Sequence, residues 1–198
     1  MKETLGNEKI ENHKDTIEAI KVLSISARKE IIQMINDLRP VAEIMIIPTL
    51  KERMLPAIKY LQDNGFTIIP KTRDDRLICF VSKEHDLAQE ASDLLENGGI
   101  KNSKRFGELM GFPSGSIEAF LDNKNNFLND EETERVIGFH NHFVNVALSK
   151  NNLEESVEYL KKTYKVLLEQ SPDIFEDGLP IGEDVEEFKK KVSDFVNK

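Results

Sequence analysis

Cysteine and long apolar runs are scarce in this sequence. The one cysteine, Cys79, excludes an internal disulfide framework and a cysteine-rich zinc site. No apolar run approaches the roughly eighteen residues of a membrane-spanning helix, because Glu43 and Pro48 interrupt the longest. Residues 1–14 are polar and of mixed charge, without the apolar centre of a secretory signal. These absences predict a soluble, cytoplasmic protein.

Signature motifs of the large enzyme families are also missing. The sequence contains no GxSxG, HExxH or GxGxxG motif and no phosphate-binding glycine loop. Their absence excludes those families without excluding every enzyme, and we expect no cofactor. Cys79 lies within the apolar stretch LICFV, which favours an inert core thiol over a nucleophile.

Acidic side chains outnumber basic ones. With 36 Asp and Glu against 27 Lys and Arg, the formal net charge is −9 at pH 7. A negative field repels the phosphates of nucleic acids, so the composition disfavours nucleic acid as a partner. A hydrophobic content of 39% is enough for a folded core in a chain of 198 residues.

The first half of the sequence predicts a small α+β domain. Asp15 is placed to cap the first helix, Thr49 and Glu52 form a capping-box pattern, and Pro56 falls inside the helix that follows. The order predicts a three-stranded mixed sheet (β-α-β-β-α) with an N-terminal helix. The predicted elements are a helix over residues 15–38, a strand at 41–47, a helix from 49 to 63, strands at 66–69 and 77–81 joined by a long polar loop at 71–76, and a helix over 85–95.

The second half predicts helices and no strand. We expect a flexible lead-in at residues 1–14, an α+β domain at 15–100 and a helical region at 101–198 packed on it. The helical region is either a second domain or part of one continuous domain. The predicted helices cover residues 103–110, 115–122, 130–149, 152–169 and 183–197, with a loop at 171–182.

Residues 104–121, KRFGELMGFPSGSIEAFL, are the most distinctive segment. Gly107 is small enough to let two helices approach, Gly111 makes the turn, and Ile117 locks the second helix, as in a helix-turn-helix. That pattern predicts a DNA-associated protein. The alternative is an αα-hairpin used for packing alone, because the front turns of the second helix lack the Arg, Lys, Asn and Gln that read base edges.

The same turn is also a candidate anion site. Backbone N–H groups and the positive dipole end at the start of the second helix favour a phosphate or carboxylate of a small ligand. The alternative is that Ser114 or Ser116 caps the helix itself. The residues of the candidate anion site are Lys104, Arg105, Gly111, Ser114, Gly115 and Ser116.

Residues 107–120 carry a glycine–aromatic–proline box of the form GxLxGFPxxxIEAF. This box resembles one in an uncharacterised prokaryotic family of unknown function, and the resemblance extends over residues 39–121. In that family cysteines can follow the proline, whereas Gly115 and Ser116 stand there in this chain. The resemblance implies a fold and no catalytic activity.

Two further groups of polar residues are weaker candidates. His140 and His142 spell an H-N-H motif, but the expected helix would point them about 200° apart, so we predict no metal site and no nuclease there. Arg39, Glu43 and the arginines of residues 71–76 either form a polar ligand site at the end of the first strand or lie in solvent.

Together these patterns predict a non-catalytic binding or interaction protein. The apolar stripe Val157, Leu160, Tyr164 and Leu167 either packs internally or binds a partner protein or a second copy through the C-terminal helices. One alternative is a DNA-associated helix-turn-helix protein acting through residues 104–121. Another is an enzyme that binds a small anionic metabolite at the turn of residues 111–116.

Overall fold

A computed structural model describes residues 13–73, 76–97, 100–122, 126–141, 143–144 and 146–198. The fold of these residues is α+β, as the sequence predicts. Short 3-10 turns occupy Ile20–Val22 and Pro48–Leu50. The other elements are α1 (residues 13–19), α2 (Ile25–Ile35), β1 (Val41–Ile46), α3 (Lys51–Asp63), β2 (Thr67–Arg73), β3 (Arg76–Ser82), α4 (His85–Asn97), α5 (Ile100–Leu109), α6 (Ser114–Leu121), α7 (Asp130–Ile137), α8 (Leu153–Gln170), α9 (Asp173–Gly178) and α10 (Val185–Val196).

The chain divides into two compact units, and the division falls between Asp93 and Leu94. The first unit contains the sheet, and the second contains α5 to α10. The sequence places the boundary near residue 100, a few residues later. Whether the two units fold as separate domains stays a prediction.

The predicted helix over residues 15–38 is wrong, because it is two helices. Leu23 is extended, and the hydroxyl of Ser24 accepts the Ala27 N–H at 3.3 Å, which caps a new helix, α2. Ile20 and Ala27 are both buried, so their spacing of seven residues resembles one continuous helical face, although the helix is interrupted between them. Asp15 lies inside α1 rather than at its cap, and residues 1–12 of the predicted lead-in lie outside the described residues.

The sheet is antiparallel throughout, so its predicted mixed character is wrong. The strand order is β1-β3-β2, and β3 pairs antiparallel with each neighbour. The strands β1 and β2 run in the same direction, but they do not pair with each other. The strand β3 lies between them and forms antiparallel backbone hydrogen bonds with each. The sheet and the α3 connection therefore form a β-α-β unit with an inserted central strand.

The hairpin of β2 and β3 is tighter than the sequence suggests. Arg73 pairs with Arg76, so only two residues separate the paired strands. The predicted long loop over residues 71–76 is therefore wrong. The polar residues before the turn belong to the edge strand β2, where Thr72 and Arg73 are exposed. Their polarity therefore reflects an exposed edge rather than a loop.

The helix α3 ends as predicted but begins differently. Leu50 is its N-cap and makes no side-chain hydrogen bond, so the predicted capping box of Thr49 and Glu52 does not form. A 3-10 turn that starts at a proline occupies this position instead. At the other end, Gly65 adopts a left-handed backbone (φ 84°) and stops the helix.

The predicted helix over residues 130–149 is also wrong, since α7 ends at Ile137. Gly138 has a φ of 87° and terminates it. The described residues from Phe139 to Leu148 are irregular, yet Phe139 and Leu148 themselves are buried, so core positions imitate a helical pattern. Among the described residues of this unit, the only strand-like pairing is the bridge between Phe127 and Ser149. The short helix α9 lies in the segment predicted as a loop.

An aromatic cluster forms the core of the second unit. The ring of Phe139 lies edge-on to Tyr164, Phe188 and Phe195, with centroids 5.2, 5.3 and 5.6 Å away. The hydroxyl of Tyr164 donates to the side-chain oxygen of Asn141 at 2.7 Å, which satisfies the polar atom of a fully buried residue. These contacts join α8 and α10 to the irregular segment after α7.

The apolar stripe of α8 packs internally. Leu160, Tyr164 and Leu167 have no exposed surface, so this part of the stripe is unavailable to a partner. Among the described residues, no helix combines the length and apolarity needed to cross a lipid bilayer.

Candidate functional site

The helices α5 and α6 meet in a tight corner built on two glycines. Gly111 takes a left-handed backbone (φ 73°), and the N–H of Phe112 donates to the Gly107 carbonyl at 3.0 Å, which ends α5. A Cβ at position 107 would lie 3.0 Å from Cγ1 of Ile117, so glycine allows the close approach of the helices. The predicted roles of Gly107, Gly111 and Ile117 in a helical corner are confirmed.

The start of α6 binds a carboxylate of the chain itself. One oxygen of Glu155 accepts the Ser114 N–H at 3.1 Å and the other accepts the Gly115 N–H at 3.0 Å. The Ser114 hydroxyl donates to the same carboxylate at 2.9 Å, and the Asn152 amide donates at 2.7 Å. Free N–H groups and the positive end of the dipole stabilise an anion here. In this structure that anion is Glu155.

These hydrogen bonds also act on the acidity of Glu155. Partial burial works to raise its pKa, but the bonds from the Gly115 N–H and from the hydroxyl and N–H of Ser114 outweigh it, so the net pKa is lowered. Glu155 is therefore ionised at neutral pH and occupies the N–H groups of the predicted anion site. An external anion would have to displace this carboxylate.

The basic residues of the predicted anion site lie on the preceding helix. Lys104 and Arg105 are both exposed on α5, and Arg105 pairs with Glu108 at 3.3 Å along that helix. The donors to the Glu155 carboxylate described above are neutral groups of α6 and α8. The site that the structure assembles thus combines Ser114, Gly115 and Glu155, and the role of Lys104 and Arg105 stays a prediction.

Gly115 is needed for the close approach of α6 to the start of α8. An added Cβ would lie 2.5 Å from the Cβ of Asn152, a separation that requires one of the two to move. The Asn152 side chain in turn donates to Glu155. Glycine at position 115 therefore brings the carboxylate and the helix start within hydrogen-bonding distance.

Three buried serines, Ser116, Ser149 and Ser156, link α6 to the segment before α8 and to α8 itself. The hydroxyl of Ser116 donates to the Ala147 carbonyl at 3.0 Å and lies 3.4 Å from the hydroxyl of Ser156. The hydroxyl of Ser156 donates to the Asn152 carbonyl at 3.2 Å, and its oxygen accepts the Ser149 N–H at 3.5 Å. Ser116 is not the side-chain cap of α6, because its hydroxyl bonds a distant carbonyl instead.

An open apolar cleft lies beside this corner. Its volume is about 410 Å³, within the range of small-ligand pockets. Phe112 and Phe120 at the cleft are 37% and 55% exposed, although large apolar side chains usually lie inside. The cleft is lined by Ser103, Phe106, Gly107, Phe112, Ser116, Ile117, Phe120, Phe127, Val146 and Ala147.

None of the described residues that line the cleft carries a charged side chain. Four phenylalanines dominate it, and its polar side chains are two serines. Such a surface binds apolar groups by removing them from water and offers serine oxygens for orientation. Among these described residues there is no His, Asp, Glu or Cys that could act as a general base or metal ligand.

The outer surface of α6 does not have the chemistry of a DNA-reading helix. Its exposed positions include Ser114, Glu118 and Phe120, with Asp122 just beyond its end. Carboxylates repel phosphates, and none of these side chains is a usual reader of base edges. The DNA-associated reading stays a prediction that this surface does not favour.

His140, the first histidine of the motif, lies outside any described helix. It is exposed in the segment after Gly138, so the helix predicted to carry it ends before it. His142 lies outside the described residues. Within the described parts of the chain, no group of three or more His, Cys, Asp and Glu side chains is placed to hold a metal ion.

The charged residues of the first unit do not form the predicted polar site. Arg39 precedes β1 and pairs with Glu30 of α2 at 3.1 Å, rather than serving Glu43 alone. Val41, two residues after Arg39 in the chain, pairs with Ser82 at the end of β3. Arg76 lies at the start of β3, roughly 20 Å from Ser82 along the strand. The arginines of the hairpin and Arg39 are therefore far apart.

Glu30 has a structural role at the edge of the sheet. Besides its pair with Arg39, it accepts the Glu43 N–H of the edge strand β1 at 2.8 Å. Burial raises the pKa of Glu43, the Glu30 carboxylate raises it further, and Arg39 opposes both. This arrangement satisfies a strand edge that would otherwise be open for pairing.

Cys79 is a buried thiol of β3, as the sequence predicts. Its side chain is 5% exposed, and burial raises its pKa to about 11. The thiol is protonated at neutral pH and is therefore a poor nucleophile.

Several residues of the corner and cleft are not identifiable from the sequence. Glu155 follows the corner by about forty residues, and in sequence it is one more acidic residue in the first turn of a helix. Phe127, Val146 and Ala147 reach the cleft from outside any helix. A local signal existed for the lining residues that belong to the distinctive box, which are Gly107, Phe112, Ser116, Ile117 and Phe120.

Comparison with known protein families, characterised proteins and solved structures finds no match. The resemblance of residues 39–121 to an uncharacterised prokaryotic family therefore stays a prediction.

Proposed function

We propose that this chain is a non-catalytic binding protein, and that its binding site is the cleft beside the corner of α5 and α6. The observation that supports this most is the exposure of Phe112 and Phe120 around a concavity of about 410 Å³ whose described lining residues are uncharged. Exposed aromatic rings cost free energy in water, and an apolar ligand recovers that cost when it covers them.

The corner supports the proposal because it holds one wall of the cleft in place. Glu155 and the buried serines attach the start of α6 to α8, while Gly107 allows α5 to pack on Ile117. A cleft built on packed helices presents a preformed surface, which lowers the entropic cost of binding. The Glu155 clamp is structural in this proposal.

The two alternative functions receive less support. An enzyme acting on an anionic metabolite at residues 111–116 would need the N–H groups that Glu155 already occupies. A DNA-associated protein would present Glu118 and Asp122 toward phosphates. A protein partner through the stripe of α8 would need residues that are buried within the chain.

Titration with Nile red, an uncharged dye whose emission rises in apolar surroundings, tests the proposal. We expect saturable binding by the wild type and a loss of affinity of about tenfold or more in Ala147→Trp. Ala147 is exposed and lines the cleft, so the larger side chain blocks it without disturbing the core. The backbone carbonyl that accepts from Ser116 is unchanged.

Val136→Trp is the matched control. Val136 is 39% exposed on α7 and does not line the cleft, so it adds the same apolar ring elsewhere in the unit. This variant should bind the dye as the wild type does. Equal binding by Ala147→Trp and the wild type, or no saturable binding by either, would contradict the proposal.

A further inference from the structure

We propose that the cleft selects a neutral small molecule with an apolar body and one hydrogen-bond donor, such as a phenol or an alcohol. This inference rests on the proposed function and names the ligand class of the same site. It follows from the charge, the hydrogen-bonding state and the size of the cleft.

The chemistry of the described cleft lining disfavours ionised ligands. Nearly a third of the chain is charged (32%), yet none of the described residues that line the cleft is charged. A carboxylate or ammonium group placed there would lose water without gaining a counter-charge. The nearby helix start offers no help, because its N–H groups already bind Glu155.

The preference for a donor follows from the hydroxyl of Ser116. This hydroxyl has one proton, which it donates to the Ala147 carbonyl at 3.0 Å. The Ser156 hydroxyl does not replace Ser116 as the donor to the Ala147 carbonyl, because its own proton is donated to the Asn152 carbonyl. At the cleft, Ser116 therefore presents an oxygen acceptor, and the matching ligand group is a donor.

The size of the cleft favours a small molecule over a second copy of the chain. A stable protein dimer buries about 800 Å² on each partner. Such an interface involves roughly 20–30 residues on each side. Ten of the described residues line the concavity of about 410 Å³, which matches a single ring or a short chain with a polar end. The four phenylalanines favour an aromatic or aliphatic body.

Three probes with the same body separate these properties: para-ethylphenol, para-ethylanisole and para-ethylbenzoate. The phenol carries a donor, the anisole keeps the oxygen but has no donor, and the benzoate is an anion at pH 7. Binding is followed by NMR of the methyl groups of Ile117, Val146 and Ala147, which line the cleft. The methyl groups of Ile31, buried in the first unit, are the control.

We expect the phenol to bind about fivefold more tightly than the anisole, and about tenfold or more tightly than the benzoate. In Ser116→Ala the ratio of phenol to anisole affinity should fall to about one. Because both probes are measured on the same variant, a general loss of stability does not change this ratio.

The outcomes distinguish this inference from the proposed function. Equal affinities for phenol and anisole, tighter binding of the benzoate, or a ratio unchanged in Ser116→Ala would overturn the ligand class while leaving a binding cleft. No movement of the cleft methyl groups with any probe would overturn the proposed function as well.

Discussion

In each unit of this protein a glutamate side chain accepts hydrogen bonds from the backbone of a neighbouring element, and the surroundings of these two glutamates, Glu30 and Glu155, differ. In the first unit, Glu30 accepts an edge-strand N–H and pairs with Arg39, whose side chain is only 6% exposed. In the second, Glu155 accepts from the start of α6 and is held by neutral donors. The first carboxylate balances a buried charge, whereas the second complements a helix dipole.

This difference separates a stabilising contact from one that shapes a site. Removing Glu30 would take away a carboxylate that pairs with a buried guanidinium, so the effect should be large and global. Removing Glu155 would expose N–H groups that water can reach, so its effect should be smaller and confined to the corner. The following predictions test that contrast.

Glu30→Ala should have the largest effect. We expect the free energy of unfolding to fall by about 3 kcal/mol, because the substitution removes a carboxylate 3.1 Å from the buried guanidinium of Arg39. Urea denaturation followed by circular dichroism measures this loss. Glu30→Gln keeps an acceptor for the Glu43 N–H and should lose less. A loss below about 1 kcal/mol in the alanine variant would place Glu30 with ordinary surface carboxylates.

Gly115→Ala should come next. The added Cβ would meet the Asn152 Cβ at 2.5 Å, and we expect a loss of about 2 kcal/mol from overpacking at the corner. In an Asn152→Gly background the obstructing atom is gone, so the same substitution should cost less. A double-mutant cycle by urea denaturation measures this coupling. Additive losses would show that the close approach is not what requires glycine.

Glu155→Gln tests the helix-terminal carboxylate through pH. Because the pKa of Glu155 is lowered in the folded state, its contribution is present above the ordinary value of 4.5 and is lost as pH falls through the folded value. We expect the variant to lose about 1 kcal/mol or less at pH 7, since the carboxylate is partly exposed. At pH 3 the difference from the wild type should shrink. A gap that is constant with pH would contradict the assigned role.

Ser114→Ala should have the smallest effect. It removes the hydroxyl that donates to Glu155, while the N–H groups of Ser114 and Gly115 remain bonded. We expect a loss of about 0.5 kcal/mol in urea denaturation, typical of one exposed hydrogen bond. A loss equal to that of Glu155→Gln would mean that the hydroxyl, rather than the helix terminus, holds the carboxylate.

The sequence predicts the elements best where one residue type decides the backbone. Gly65 and Gly111 adopt positive φ values and end helices at the predicted places. It fails where a break is hidden under continuous burial. Leu23 and Ser24 interrupt a buried apolar spacing, and Gly138 ends α7 although buried apolar residues continue beyond it.

The candidate site was predictable only in part, for a comparable reason. The anion preference of the α6 start follows from local backbone chemistry, but the identity of the anion depends on a residue 41 positions after Ser114. Likewise, Phe120 is visible in the distinctive box, while its exposure depends on which chain segments cover it. Sequence spacing carries no information on contacts of that range.

The sequence by itself determined the α+β class, the helical corner and the burial of Cys79, because each depends on residues a few positions apart. The tertiary structure alone decided the central place of β3, the partner of Arg39 and the carboxylate at α6. It also decided that several phenylalanines surround an open cleft. These depend on which distant segments pack together, and several segments of similar polarity compete for each position.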